Sequence, residues 1–86
     1  MKTFKLTVST PLGNEFQGEI MELSLRGTEG SLAVRAGHIP FMTATRAGEI
    51  RITDAEANDI IAEASDGLLT VSREETTLLL GEFKIN

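Results

Sequence analysis

The chain has no cysteine, no tryptophan and no tyrosine, and only one histidine and two prolines among 86 residues. Without cysteine there is neither a disulfide framework nor a thiolate nucleophile or metal ligand, so stability must come from apolar packing alone. By per-residue scaling that is roughly 4 to 13 kcal/mol for one small core, and the length predicts a single domain over residues 1–86. No run approaches the eighteen or so apolar residues of a membrane-spanning helix, and "MKTFKLTVSTPLG" lacks the apolar core of a secretory signal. Basic clusters are also missing: eight Lys and Arg stand against thirteen Asp and Glu, a formal charge of −5. Without aromatic stacking platforms as well, the chain repels nucleic acid on average.

What is present is alternation. Gly, Pro, Asn and Asp cut the sequence every several residues into short pieces whose apolar residues fall on every second position, the pattern of half-buried strands. Phe4, Leu6 and Val8 share one face, with Lys5, Thr7 and Ser9 on the other. Met21, Leu23 and Leu25 read as a second apolar face. Leu32 with Val34, Ile50 with Ile52, Leu69 with Val71, and Leu78 with Leu80 repeat the pattern. So many ribbons with one apolar face each predict stacked or closed sheets. One segment is ambiguous: in "DAEANDIIAEAS" Ala57, Ile60, Ile61 and Ala64 sit at helical spacing behind a possible Asp54 cap, yet "DAEAND" also reads as a hairpin loop before a strand "IIAEA".

The inventory is poor in chemistry. Ser31, His38 and Asp66 can be assembled into a triad on paper, but no nucleophile-elbow context surrounds any serine. "GTEG" lacks the Lys-Ser/Thr of a phosphate loop. Asp54, Glu56 and Asp59 miss the ligand spacing, glycine and terminal glutamate of a helix-loop-helix calcium site. No metal or cofactor is expected. His38 reads either as a plain surface imidazole or as part of a contact, and its company favours contact: Gly37 and Pro40 fix a bend flanked by apolar Ile39, Phe41 and Met42.

Four segments carry a family resemblance: "TPLGNEFQGEI" at 10–20, "GTEGSLAV" at 27–34, "GHIPFMTATRAGEIRI" at 37–52 and "ASDGLLTVSREETTLL" at 64–79. In order and spacing they resemble, over residues 4–80, the N-terminal β-sandwich domain of the epsilon subunit of rotary ATP synthase, called delta in mitochondria. The resemblance implies an all-β fold, a flattened antiparallel β-sandwich of about ten short strands, and favours the hairpin reading of 54–64. It implies a non-catalytic central-stalk subunit that links the gamma subunit to the membrane rotor ring of c subunits and couples ion flow to ATP synthesis. The catalytic alpha/beta head would be reached only indirectly. The site would be the cytoplasmic face of an energy-transducing membrane, bacterial plasma membrane in the first instance, without insertion into it.

By the same resemblance Thr28, Glu29, Gly30, Ser31, His38, Ile39 and Pro40 would face the rotor ring, and Thr10, His38, Met42 and Thr43 the gamma subunit. The sequence departs from the family at several points. Ala36 and Ile39 stand where the loop usually reads PGHAP, giving a less constrained and more apolar tip. Ser31 stands where a glutamate often follows the "EG" turn. "SDG" replaces a common SGG, which places Asp66 where glycine would allow positive φ. Family members usually continue into two C-terminal helices that can inhibit hydrolysis and in some cases bind ATP; a chain ending at Asn86 is expected to lack that brake and its nucleotide site. The alternative is a free-standing β-sandwich module that adds a peptide strand to an open sheet edge. A sugar site would want tryptophan or tyrosine, and a small hydrolase a second catalytic group beside the lone histidine.

Overall fold

The computed structural model describes residues 2–86. Nine strands follow one another: β1 (Phe4–Thr10), β2 (Gly13–Gly27), β3 (Gly30–Arg35), β4 (Phe41–Thr45), β5 (Gly48–Asp54), β6 (Asp59–Ala64), β7 (Gly67–Val71), β8 (Glu75–Leu80) and β9 (Phe83–Ile85). Among the described residues there is no helix, so the all-β expectation holds, with nine strands where about ten were expected. Every pairing is antiparallel except β1 with β8, which run parallel.

The layers follow from β2, whose fifteen residues are too many for one face of so small a sandwich. Its first half pairs with β1, and its second half with β3 and β5. One layer is therefore β1-β8-β7-β4, and the other β3-β2-β5-β6-β9, with the β2 end returning to β4 through the Gly27–Thr45 pair. The crossing point is a bulge: pairing to β5 slips between Ile20 and Glu22. One extra residue inverts the side-chain alternation. Ile20 before it and Leu23 after it are both fully buried, while Met21 is only half-buried. The expectation that Met21 shares the inner face of Leu23 and Leu25 is thus corrected by the bulge.

Elsewhere the alternation holds. Leu6, Val8, Leu69, Val71, Leu78 and Leu80 line the inside of the first layer, and Leu23, Leu25, Val34, Ile50, Ile52, Ala62 and Ala64 the inside of the second. These residues form one core cluster, with Phe4, Phe16, Leu32, Phe41, Ile60 and Phe83 closing its rim. Burying a Leu or Ile side chain contributes about 1.5 to 3 kcal/mol, so this cluster is what holds the two layers together.

The ambiguous segment is a hairpin. Asp54 does cap, but it caps a turn: its Oδ1 accepts the N–H groups of Glu56 and Asn58, both at 2.9 Å, while its own N–H donates to the Asn58 carbonyl at 2.9 Å. Ala57 takes φ of 66° to close the turn. Side-chain acceptance of local N–H groups competes with helix formation at its first turn, and strand pairing of β6 with β5 buries Ala62 and Ala64 where a free helix would not.

The "SDG" corner also differs from expectation. Asp66 does not adopt positive φ; its Oδ1 accepts the Ala47 N–H at 2.6 Å, tying the β6–β7 corner to the β4–β5 corner. The tail "GEFKIN" is more than an end. Ser65 Oγ accepts the N–H groups of Gly81 and Glu82 at 2.9 Å, and this anchor sets Phe83–Ile85 as an edge strand on β6.

Candidate functional site

The two outer faces differ in kind. On the second layer they carry charge: Glu22 pairs with Arg35 at 3.3 Å and Arg51 approaches Asp59 at 4.0 Å, with Glu49, Glu63 and Lys84 also exposed. On the first layer two successive cross-strand rows carry none. Register places Met42, Thr70 and Thr77 in one row and Ala44, Leu68 and Leu79 in the next but one. These side chains share the outward face because residues two apart along a strand point the same way. Met42 is 64% exposed and Leu79 46%. The next row on this face carries the exposed Lys5–Glu75 pair at 3.8 Å, so it is the two uncharged, partly apolar rows that a partner can desolvate at least cost.

At one end of this face lies the proline bend. His38 is exposed, its ring 5.9 Å from that of Phe41 at a tilt of 54°, and its N–H donates to the Arg35 carbonyl at 3.3 Å. Gly37 holds φ of 88°, which turns the chain out of β3 and leaves Ile39 81% exposed. The bend therefore presents an aliphatic side chain and an imidazole to solvent. Ser31 and Asp66 are not gathered around the imidazole: Asp66 is engaged with Ala47, and Ser31 lies at the far end of β3. Among the described residues no group of His, Asp and Glu is placed to hold a metal ion.

The residues expected at two contacts fall into more than two places. The turn Thr28–Ser31 and the bend His38–Pro40 lie at opposite ends of β3, roughly 17 Å apart at strand rise. Thr43 is half-buried and points away from Met42; with Phe41 it lines a hollow against the turn residues Thr28 to Leu32. Met42 alone of the pair joins the uncharged rows. Thr10 sits at the tip of the β1–β2 hairpin, separated from β4 by β8 and β7, and its hydroxyl donates to Glu15 Oε2 at 3.0 Å and accepts the Leu12 N–H at 3.1 Å. Leu68 and Leu79 lie outside the expected contacts, although "LLL" at 78–80 in an alternating strand requires one leucine to face outward.

The fold is thus a β-sandwich with two uncharged rows on the outside of its first layer and an exposed apolar bend beside them. Residues 3–84 match the family described as the ATP synthase, Delta/Epsilon chain, beta-sandwich domain, and the chain belongs to that family. Among curated relatives, the ATP synthase epsilon chain of Bacillus pumilus is 30% identical over 92% of this chain and 60% of its own length. That of Priestia megaterium is 33% identical over 92% of this chain and 58% of its own. The chain thus spans about three-fifths of the length of these relatives. A chain in the cryo-EM structure of Euglena gracilis mitochondrial ATP synthase, OSCP/F1/c-ring in rotational state 1, superimposes with a TM-score of 0.90 at 18% identity, covering 96% of this chain and 53% of that one. One in the central stalk/c-ring of Tetrahymena thermophila mitochondrial ATP synthase gives 0.77 at 13% identity, covering 95% and 66%. At these identities the likeness is one of fold.

Proposed function

We propose that this chain is the β-sandwich of a non-catalytic central-stalk subunit that joins the gamma subunit to the membrane rotor ring, so that ion-driven rotation reaches the catalytic head. The observation that carries the reading is the pair of uncharged outward rows on the first layer beside the exposed bend. A peripheral position at the cytoplasmic face of an energy-transducing membrane belongs to the same proposal, supported by the bacterial epsilon chains among its relatives. In it, Met42 and the rows around Leu68 and Leu79 seat gamma, with His38 at the margin. The turn Thr28–Ser31 and the tip His38–Pro40 span the ring contact from the two ends of β3. Thr43 supports the turn rather than touching gamma directly, and Thr10 acts through the shape of its hairpin.

A stable contact of about 800 Å² on this side would cover roughly one-seventh of the 5304 Å² surface. A charge placed at its centre loses the burial of one side chain and adds an unpaired ion. Met42→Asp and Ile39→Asp are expected to weaken gamma or ring association by roughly ten- to a hundred-fold, with circular dichroism and melting unchanged because both positions are exposed. Undiminished pull-down of gamma by both folded variants would refute the assignment.

A second reading has one observation behind it. Among the described residues β4 pairs with β7 on one side and meets β2 only at Thr45, and β3 pairs with β2 alone, so two open edges border the hollow lined by Leu32 and Phe41. Addition of a peptide strand there is the peptide-module alternative. It predicts loss of binding on proline substitution along β3 or β4 with no effect of Leu79→Asp.

A further inference from the structure

The end of the molecule around the β2–β3 turn, whose residues Thr28–Ser31 the stalk reading assigns to the ring, holds a second feature that is argued without that reading. Arg26 and Arg46 come together there because the Arg46 N–H donates to the Arg26 carbonyl at 2.9 Å, which places the last residues of β2 and the β4–β5 corner side by side. With Thr28, Ser31 and the backbone of Gly27 and Gly30 they line a hollow of about 340 Å³. Among the described residues neither arginine has a carboxylate within 4.0 Å, whereas Lys5, Arg35 and Arg51 each do. No carboxylate-bearing residue is in the lining of the hollow, although Asp66 stands at its border, where its Oδ1 accepts the N–H of the lining residue Ala47 at 2.6 Å. Glu29, although it lies within the turn, lines the neighbouring hollow toward Phe41 and Thr43, and Glu49 lies beyond Arg26 beside Arg51.

The arginine is also seated. Gly48 has φ of 147°, and a Cβ built on it would stand 3.3 Å from both Cδ and Nε of Arg26. The stem of Arg26 thus lies across a groove that any larger residue would narrow. Two arginines, two hydroxyl-bearing residues and a glycine turn that admits close approach of the backbone make a concave lining rich in donors. A carboxylate offers two oxygens in a plane; a phosphate offers three or four in a tetrahedron, and so can engage both forks and a hydroxyl at once.

We propose that this hollow binds a phosphate oxyanion, presented either free or as the headgroup of a phosphomonoester lipid. The test uses the full 86-residue chain without any partner, so its outcome is separate from that of the gamma pull-down. In ¹H–¹⁵N spectra at constant ionic strength, inorganic phosphate in place of chloride shifts the amides of residues 27–31 and 46–47 and the Arg26 and Arg46 Nε–H signals, and the shifts saturate at millimolar concentration. In a second arm, sedimentation with phosphatidylcholine vesicles with and without phosphatidic acid distinguishes the lipid source from the free ion. Arg26→Gln and Arg46→Gln each lower the affinity about tenfold or more, the loss expected for one charge-assisted donor, while Lys84→Gln leaves it unchanged. Saturable binding in either arm with that pattern of variants supports the site. Shifts that never saturate, equal shifts with chloride, or equal losses on Lys84→Gln and Arg26→Gln overturn it.

Discussion

Gly67 offers the sharpest test of how the first layer is built. It opens β7, where it faces Leu80 of β8 and Thr45 of β4, and its φ is one that any residue adopts. What forbids a side chain is space: a Cβ would overlap the carbonyl oxygen of Leu79 and come within 2.6 Å of Leu80 Cδ2. The first obstacle is backbone, so relief requires β8 to move away from β7 and the rungs between them to lengthen. Overpacking costs about 1 to 3 kcal/mol, and loosening one or two ladder bonds adds about 0.5 to 1.5 kcal/mol each. Gly67→Ala is therefore expected to destabilise by about 3 kcal/mol, a large share of the roughly 4 to 13 kcal/mol available. Gly18→Ala is the matched control, because there the new Cβ meets only the Phe16 ring, no nearer than 3.8 Å, at ordinary φ; it should stabilise by about 0.4 to 1 kcal/mol. Urea unfolding followed by far-ultraviolet circular dichroism reads both. Similar midpoints for the two variants would refute the close-approach argument.

Two further substitutions probe stored cost. Thr45 is buried at 3% exposure and among the described residues its Oγ1 has no hydrogen-bond partner. Thr45→Val is expected to stabilise by about 1 kcal/mol, raising the melting temperature by about 4 to 8 °C; calorimetry showing a lower melting temperature would mean that the hydroxyl is satisfied in solution. Ala57 sits at φ of 66° in the β5–β6 turn, where left-handed backbone costs a side-chain-bearing residue about 1 to 2 kcal/mol. Ala57→Gly should recover part of this, about 0.5 to 1 kcal/mol after the entropy of the unfolded glycine is charged against it, and a destabilised hairpin in the same urea assay would contradict it.

The strands were legible because burial on one face writes itself into every second residue, as in Leu6 and Val8 or Ile50 and Ile52. Three features were not, each for a physical reason. The bulge at Met21 changes parity without changing composition, so Ile20 and Met21 look equally suited to the core until pairing is known. The segment 54–64 satisfies helical and hairpin patterns together, and tertiary pairing of β6 with β5 decides between them. Tail strand β9 depends on the Ser65 hydroxyl, sixteen and seventeen residues from the amides it accepts. For the sites, the bend at His38 stood out through its own residues, whereas the uncharged rows around Leu68 and Leu79 exist only once β4, β7 and β8 are laid side by side. The Arg26–Arg46 hollow is likewise invisible in a chain where the two residues stand twenty positions apart.

The long second strand has a mechanical consequence. Since Gly13–Gly27 is hydrogen-bonded to β1 in one layer and to β3 and β5 in the other, sideways load on either sheet runs into the other along covalent bonds. Sliding the layers past one another would strain that shared spine and strip its rungs together, so the block resists shear as one body, a useful property in anything asked to carry torque.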